Sequence, residues 1–132
     1  MIHAVLADTG PLYAAVDPED AHHARALQEL QRLASDRWEV VILYSTLIEA
    51  YSLILFRLGR DAGSDWLTDM ANSALDNPMP EDYRQAAARI RELPDQPITL
   101  FDALAGVIAT RLKLDVWTYD HHFDVMRVPV WR

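Results

Sequence analysis

Short apolar runs alternating with helical segments predict an α/β domain built on a parallel sheet. Two observations carry that prediction. Ile2–Ala7 and Val40–Leu43 are continuous apolar runs of strand length, the mark of strands buried on both faces. Each is followed by segments whose apolar residues recur at helical spacing, so the strands are joined by crossovers, which are right-handed in a parallel sheet. Four or five strands fit, within one domain spanning 1–132.

Taken in order, Ile2–Ala7 is the first strand and Gly10–Val16 a short helical turn that Asp17-Pro18 breaks. Glu19–Ser35 places Ala24, Leu27, Leu30 and Ala34 on an inward face. His22, His23, Arg25, Gln28, Glu29 and Arg32 are left to solvent. Val40–Leu43 is the second strand, and Thr46–Leu58 a strongly apolar, buried helix ended near Gly59. Asp61–Ala74 is a further helix. Leu75–Pro80 is either a short edge strand or a connection, because two prolines limit ladder bonds. Glu81–Leu93 is a helix rich in Ala and Arg, and Pro94–Pro97 a linker. Thr99–Leu114 is a helix apolar all round, with Leu100, Phe101, Leu104, Val107, Ile108 and Leu112. Asp115–Thr118 and Met126–Val130 are the last strands.

Composition excludes several classes of function. The 132 residues are enough for a core that folds alone, and 51% hydrophobic with 24% charged residues is an ordinary globular mix. Cysteine is absent, which removes disulfides, thiol catalysis and cysteine-bound zinc and suits a cytoplasmic protein. The first apolar run is too short for a secretory signal. Ser45, Thr46, Glu49 and Ser52 interrupt the longest one, Val40–Phe56, so no membrane span is expected. The net charge of −8 argues against non-specific nucleic-acid binding, which rests on counterion release by basic side chains. Every basic residue but Lys113 is arginine, which favours specific phosphate contacts through its bidentate fork.

Four acids stand where a charge is awkward. Asp8 ends the first strand, at the carboxyl edge where open α/β sheets bind ligands. Glu49 lies in an apolar helix, Asp102 opens the helix that begins at Thr99, and Asp120 follows the strand through Trp117. Each has a local explanation as well. Asp8 suits a turn or N-cap, Glu49 and Asp102 each stand three residues after a threonine as in a capping box, and Asp120 suits the cap of a short helix. Their joint placement is what points to chemistry, since the topology brings all four to one edge of the sheet. Two carboxylates ~5 Å apart at an effective dielectric of ~20 repel by roughly 3 kcal/mol, so four of them call for protonation or a cation. Hard oxygen ligands select Mg²⁺ or Mn²⁺.

Other candidates are weaker. His22-His23 and His121-His122 lack the i, i+4 spacing of a zinc motif and read as solvated histidines. Asp124 reads as a surface acid, and the four tryptophans as packing residues. Only four glycines occur and none forms a phosphate-cradling loop, nor is there a GxSxG elbow.

The ordered set of Asp8-Thr9 after the first strand, Glu49 in the helix after the second, Asp102 opening a later helix and Thr118-Tyr119-Asp120-His121-His122-Phe123 after the next strand resembles the PIN-domain ribonucleases. Within them it is most similar to the small VapC-type toxins of bacterial toxin–antitoxin pairs. The resemblance covers essentially the whole chain. It implies a PIN-like three-layer α/β/α domain around a parallel sheet, with one or two Mg²⁺ or Mn²⁺ in an acidic pocket. It also implies endonucleolytic cleavage of RNA, often tRNA or rRNA, leaving a 5′-phosphate. A cognate VapB-like antitoxin that blocks the pocket and a homodimer come with it. The metal acids carry over to Asp8, Glu49, Asp102 and Asp120, and the supporting hydroxyls to Thr9 and Thr118. Gly10 stands where the family more often has Ser or Asn, and the chain is more acidic than a lone RNA binder. The rival expectation is a non-catalytic PIN-like domain that binds protein or RNA without cleavage. A phosphatase would want an acid at Gly10, and a phosphotransfer receiver a lysine near the site, whereas Lys113 ends a helix.

Overall fold

A computed structural model describes residues 3–132. Four parallel strands form one sheet in the order β3-β2-β1-β4. They are β1 (Ala4–Ala7), β2 (Glu39–Leu43), β3 (Ala74–Asp76) and β4 (Asp115–Trp117). Ile2, expected in the first strand, lies outside the described residues. The helices are α1 (Thr9–Val16), α2 (His23–Ser35), α3 (Tyr44–Leu58), α4 (Arg60–Met70), α5 (Pro80–Glu92), α6 (Leu100–Leu112) and the single turn α7 (His122–Val125). No helix among the described residues is long and apolar enough to cross a membrane.

Alternation along β1 explains why the sheet has two cores. Leu6 joins Leu43, Leu104, Ile108, Val116 and Phe123 on the α5–α6 side, while Val5 and Ala7 join Ile42, Ile54, Trp66, Trp117 and Trp131 on the other. The tryptophans are packing residues, as expected: Trp131 meets Trp117 edge-on at 6.4 Å between ring centroids, and Trp38 at 6.3 Å. At Gly63 of α4, an added Cβ would lie 3.1 Å from the Tyr51 ring, so this glycine allows α4 to pack closely on α3. The turn between these helices uses Gly59 at φ 98°, a conformation that side-chain-bearing residues resist.

Five expectations are corrected by the structure. The helix expected from Glu19 starts at His23, because the carboxylates of Asp17 and Asp20 take the Glu19 and His22 amides into turns. Its inward face is also rotated: Ala26 and Leu33 are buried, whereas Ala24, Leu27 and Ala34 are exposed. The Thr46–Leu58 helix opens two residues earlier and is not buried all round, since Ile48 is 63% and Phe56 84% exposed. The helix from Asp61 stops at Met70, and Ala74 already belongs to β3, so Leu75–Pro80 holds the end of a short strand, a connection over 77–79 and the first residue of α5. Met126–Val130 is no strand. Arg127 takes φ 59° and Pro129 has no N–H to donate, so only Val130 bridges to Val116.

Candidate active site

Parallel pairing of β1 with β4 places Ala7 opposite Trp117, so the residues that follow, Asp8 and Thr118, emerge side by side. Thr118 Oγ1 donates to Asp8 Oδ2 at 2.8 Å, and both residues are buried. Asp8 sits at the N-cap of α1 yet makes no capping hydrogen bond. The Thr118 hydroxyl also accepts from the Asp120 N–H at 2.9 Å, which bends the chain so that Asp120 returns toward the pocket.

Glu49 and Asp102 come in from two helices. Because α3 begins at Tyr44, Glu49 lies beyond its first turn and the capping box with Thr46 is not formed. Its carboxylate accepts the Thr9 hydroxyl of α1 instead. The cap expected on α6 is present: Thr99 Oγ1 accepts the Asp102 N–H at 3.1 Å. This cap engages the Asp102 amide, and the buried carboxyl is left to the influence of Asp8 and Asp120.

The electrostatics follow from this crowding. Burial pushes the Asp8 carboxyl up to about 6 against the pull of the Thr118 bond, and the charges of Glu49 and Asp120 add to the rise. Asp102 is pushed up to about 8, first by burial and then by the charges of Asp8 and Asp120. Burial acts upward on Asp120 too. There the His122 amide, the bond from Asp102 and the His122 imidazole outweigh it and hold the group low. The two carboxyl groups are thus driven apart, Asp102 upward and Asp120 downward. All four expected acids are electrostatic neighbours at one edge of the sheet, and their donor set is entirely hard oxygen. Such a set fits Mg²⁺ or Mn²⁺. A divalent cation held there would offset the repulsion among the carboxylates.

Two clefts flank the acids. One, of about 290 Å³, is apolar and lined by Tyr44, Ile48, Tyr83, Leu100 and Phe101. The other, of about 210 Å³, is polar and lined by Arg25, Tyr119, Asp120, His121 and Arg132 among others.

Two groups placed on the solvent side by the sequence belong to the surroundings of the site. Glu29 of α2 faces inward, accepting from Trp117 Nε1 at 3.2 Å and from the Tyr119 hydroxyl at 2.5 Å. Arg25 lies 3.5 Å from Glu29 and 4.2 Å above the Tyr119 ring. Burial, and then the bond to Glu29, drive the Tyr119 hydroxyl well above the ordinary phenol range. The spacing Ala26–Glu29–Leu33 carried this signal, since it is as helical as the set beginning at Ala24. The second group is the histidine pair. His122 has only 14% of its side chain exposed, and its Nδ1 is 3.0 Å from Asp120 Oδ1. His23, also expected in solvent, is half-buried with Nδ1 2.7 Å from the Ala14 carbonyl oxygen. Asp124 is an exposed acid paired with Arg132, as expected.

A fold of this kind with acids at this edge defines the class. The PIN-domain family model matches residues 5–129, and the chain belongs to that family. Comparison with curated proteins finds no match. Solved structures share the fold at low identity. Mycobacterium tuberculosis VapC20, described as a sarcin–ricin-loop-cleaving toxin, superposes with a TM-score of 0.84 at 17% identity, over 97% of this chain and 98% of that one. VapBC2 from Rickettsia felis, bound to a DNA fragment from its promoter, gives 0.76 at 13% identity over 98% and 97%. FitAcB from Neisseria gonorrhoeae gives 0.69 at 18% over 97% and 96%.

Proposed function

We propose that this PIN-domain protein is a Mg²⁺- or Mn²⁺-dependent endoribonuclease of the VapC type, held in check by a cognate antitoxin. The observation that carries the reading is the buried carboxyl of Asp102, set beside Asp8 and Asp120, whose charges together with burial push it up. A fold that only needed a cap at this position would be served by the Thr99 hydroxyl alone. The non-catalytic alternative leaves four clustered acids unexplained.

Asp8, Asp102 and Asp120 would hold the cation, and Glu49 would complete its oxygen shell directly or through water. When bound, such a cation supplies an acidified water and neutralises charge on a phosphate. The chain's own groups prepare the pocket for it. Thr118 orients Asp8 and anchors the Asp120 backbone, while Thr9 fixes Glu49. Asp102, pushed up by burial and by the charges of Asp8 and Asp120, would have to be ionised to serve as a ligand. In the proposed reaction, water would attack the phosphodiester in line, with the 3′-oxygen leaving and the 5′-phosphate retained on the product.

Arg25 and Arg132 line the polar cleft beside Asp120, and their guanidinium forks, paired in the free protein with Glu29 and Asp124, are the groups there that an RNA phosphate would engage. Folded tRNA or rRNA is the substrate class we infer. The half-exposed Tyr44, Ile48, Tyr83, Leu100 and Phe101 around the apolar cleft suit protein partners, namely the antitoxin and a second copy of the chain. The first test is calorimetric titration with Mn²⁺ of the wild type and Asp8→Asn, followed by cleavage of structured RNA. Saturable binding that Asp8→Asn abolishes supports the reading. A folded, partner-free protein that ignores millimolar Mn²⁺ refutes it.

A further inference from the structure

We propose that Asp120, His121 and His122 form a second metal site, built partly of nitrogen donors, that takes Zn²⁺ or Co²⁺ in preference to Mg²⁺. One ligand atom from each of these residues lies within 4.8 Å of the others. Asp120 Oδ1 is 3.0 Å from His122 Nδ1 and 3.8 Å from His121 Nδ1. Metal–donor bonds of about 2.0–2.2 Å set tetrahedral ligand atoms roughly 3.3–3.6 Å apart, between these two separations. The His121 side chain is 76% exposed and free to turn, so the site closes by side-chain rotation.

An independent observation points to a ligand. His122 Nδ1 is buried and has no hydrogen-bond partner among the described residues. Asp120 Oδ1 is close but misaligned for it, and already accepts the His122 N–H at 2.9 Å. An orphaned buried nitrogen is costly in water-free surroundings, and a metal ion is one group that relieves it. The two imidazole rings lie 4.3 Å apart, close enough to serve one ion. Imidazole nitrogen suits Zn²⁺ and Co²⁺, whereas Mg²⁺ wants oxygen. Three protein ligands leave one position open, and Asp120 and His121 border the polar cleft, which gives solvent or an anion access to it.

The site shares Asp120 with the acid pocket but takes its nitrogen donors from two residues outside it, and one experiment separates the two. The whole chain is titrated with Co²⁺, read by its visible absorption, and with Mn²⁺ by calorimetry. Wild type, Asp8→Asn, His121→Ala and His122→Ala are compared, with far-UV circular dichroism confirming the fold. We expect a tetrahedral Co²⁺ spectrum in wild type that Asp8→Asn retains. His121→Ala, which alters an exposed side chain, should weaken Co²⁺ binding by more than about tenfold, at least the loss that follows removal of a ligand's supporting partner. His122→Ala should abolish it. Mn²⁺ binding should be lost in Asp8→Asn and kept in His121→Ala, whose side chain is exposed. An absent Co²⁺ spectrum in wild type, a spectrum unchanged in His121→Ala, or one lost in Asp8→Asn would each overturn the second site. The Mn²⁺ arm alone reports on the acid pocket.

Discussion

The Thr118 hydroxyl donates to Asp8 Oδ2 at 2.8 Å across 110 residues of chain, joining the ends of two neighbouring strands. The same oxygen accepts the Asp120 amide, so one side chain positions two of the four acids. Thr118→Val keeps the shape and removes both bonds. It should lower stability by about 1–2 kcal/mol in urea unfolding and weaken Mn²⁺ binding, while Thr118→Ser restores both. Equal behaviour of Val and Ser would show that the hydroxyl is idle.

Asp8→Asn removes a buried charge without changing volume. Cleavage and Mn²⁺ binding should be lost. Because the carboxyl is pushed up to about 6 by burial, the metal-free variant should also melt above wild type at pH 8, where the native group is ionised. An active variant would falsify the assignment.

Metal-free stability should depend on pH in a defined direction. Asp8 and Asp102 rise from 3.8 to about 6 and about 8 on folding, so the native state holds more protons than the unfolded one between those values. Their contribution is full below pH 3.8 and is lost as pH rises through about 6 and then 8. Asp120, held low, acts oppositely at the acid end. Melting in chelator should therefore fall from pH 5 to pH 8, and saturating Mn²⁺ should reverse the trend. Calorimetry in buffers of different ionisation enthalpy should detect protons released on binding.

Glu29 is the acceptor for Trp117 and Tyr119. Glu29→Leu leaves two donors unsatisfied and should cost about 2 kcal/mol, with a shift in tryptophan emission. Glu29→Gln keeps an acceptor and should cost less. If both variants unfold like wild type, the inward glutamate contributes nothing.

Away from the site, Arg111 makes two bonds to buried Asp82, at 3.0 and 2.9 Å, and Asp82 caps α5 through the Met79 amide. Burial alone would raise the Asp82 carboxyl, and the Arg111 bonds hold it low instead. Arg111→Ala should destabilise by about 2–3 kcal/mol, read as a lower denaturation midpoint at unchanged slope. Mn²⁺ affinity should stay the same.

The alternation of apolar runs and helical spacing was sufficient to determine a parallel α/β sheet, since each run is local and its burial follows from composition. The order of the four acids, the cap at Thr99 and the packing role of the tryptophans could be read from the chain for the same reason. Tertiary structure decided what depends on which side of an element meets another. The inward face of α2 was ambiguous because Ala24–Leu27–Leu30–Ala34 and Ala26–Glu29–Leu33 are equally helical, and only the indole and phenol donors of β4 and its following loop select the second. In the same way, Glu49 left its capping role because α3 starts at Tyr44 against β2, and His122 left solvent because the turn after Asp120 folds it inward. Local sequence states which residues can cap, bury or ligate. Packing between distant elements selects one of those roles, because burying a polar group is favourable only where the partner that satisfies it is brought alongside.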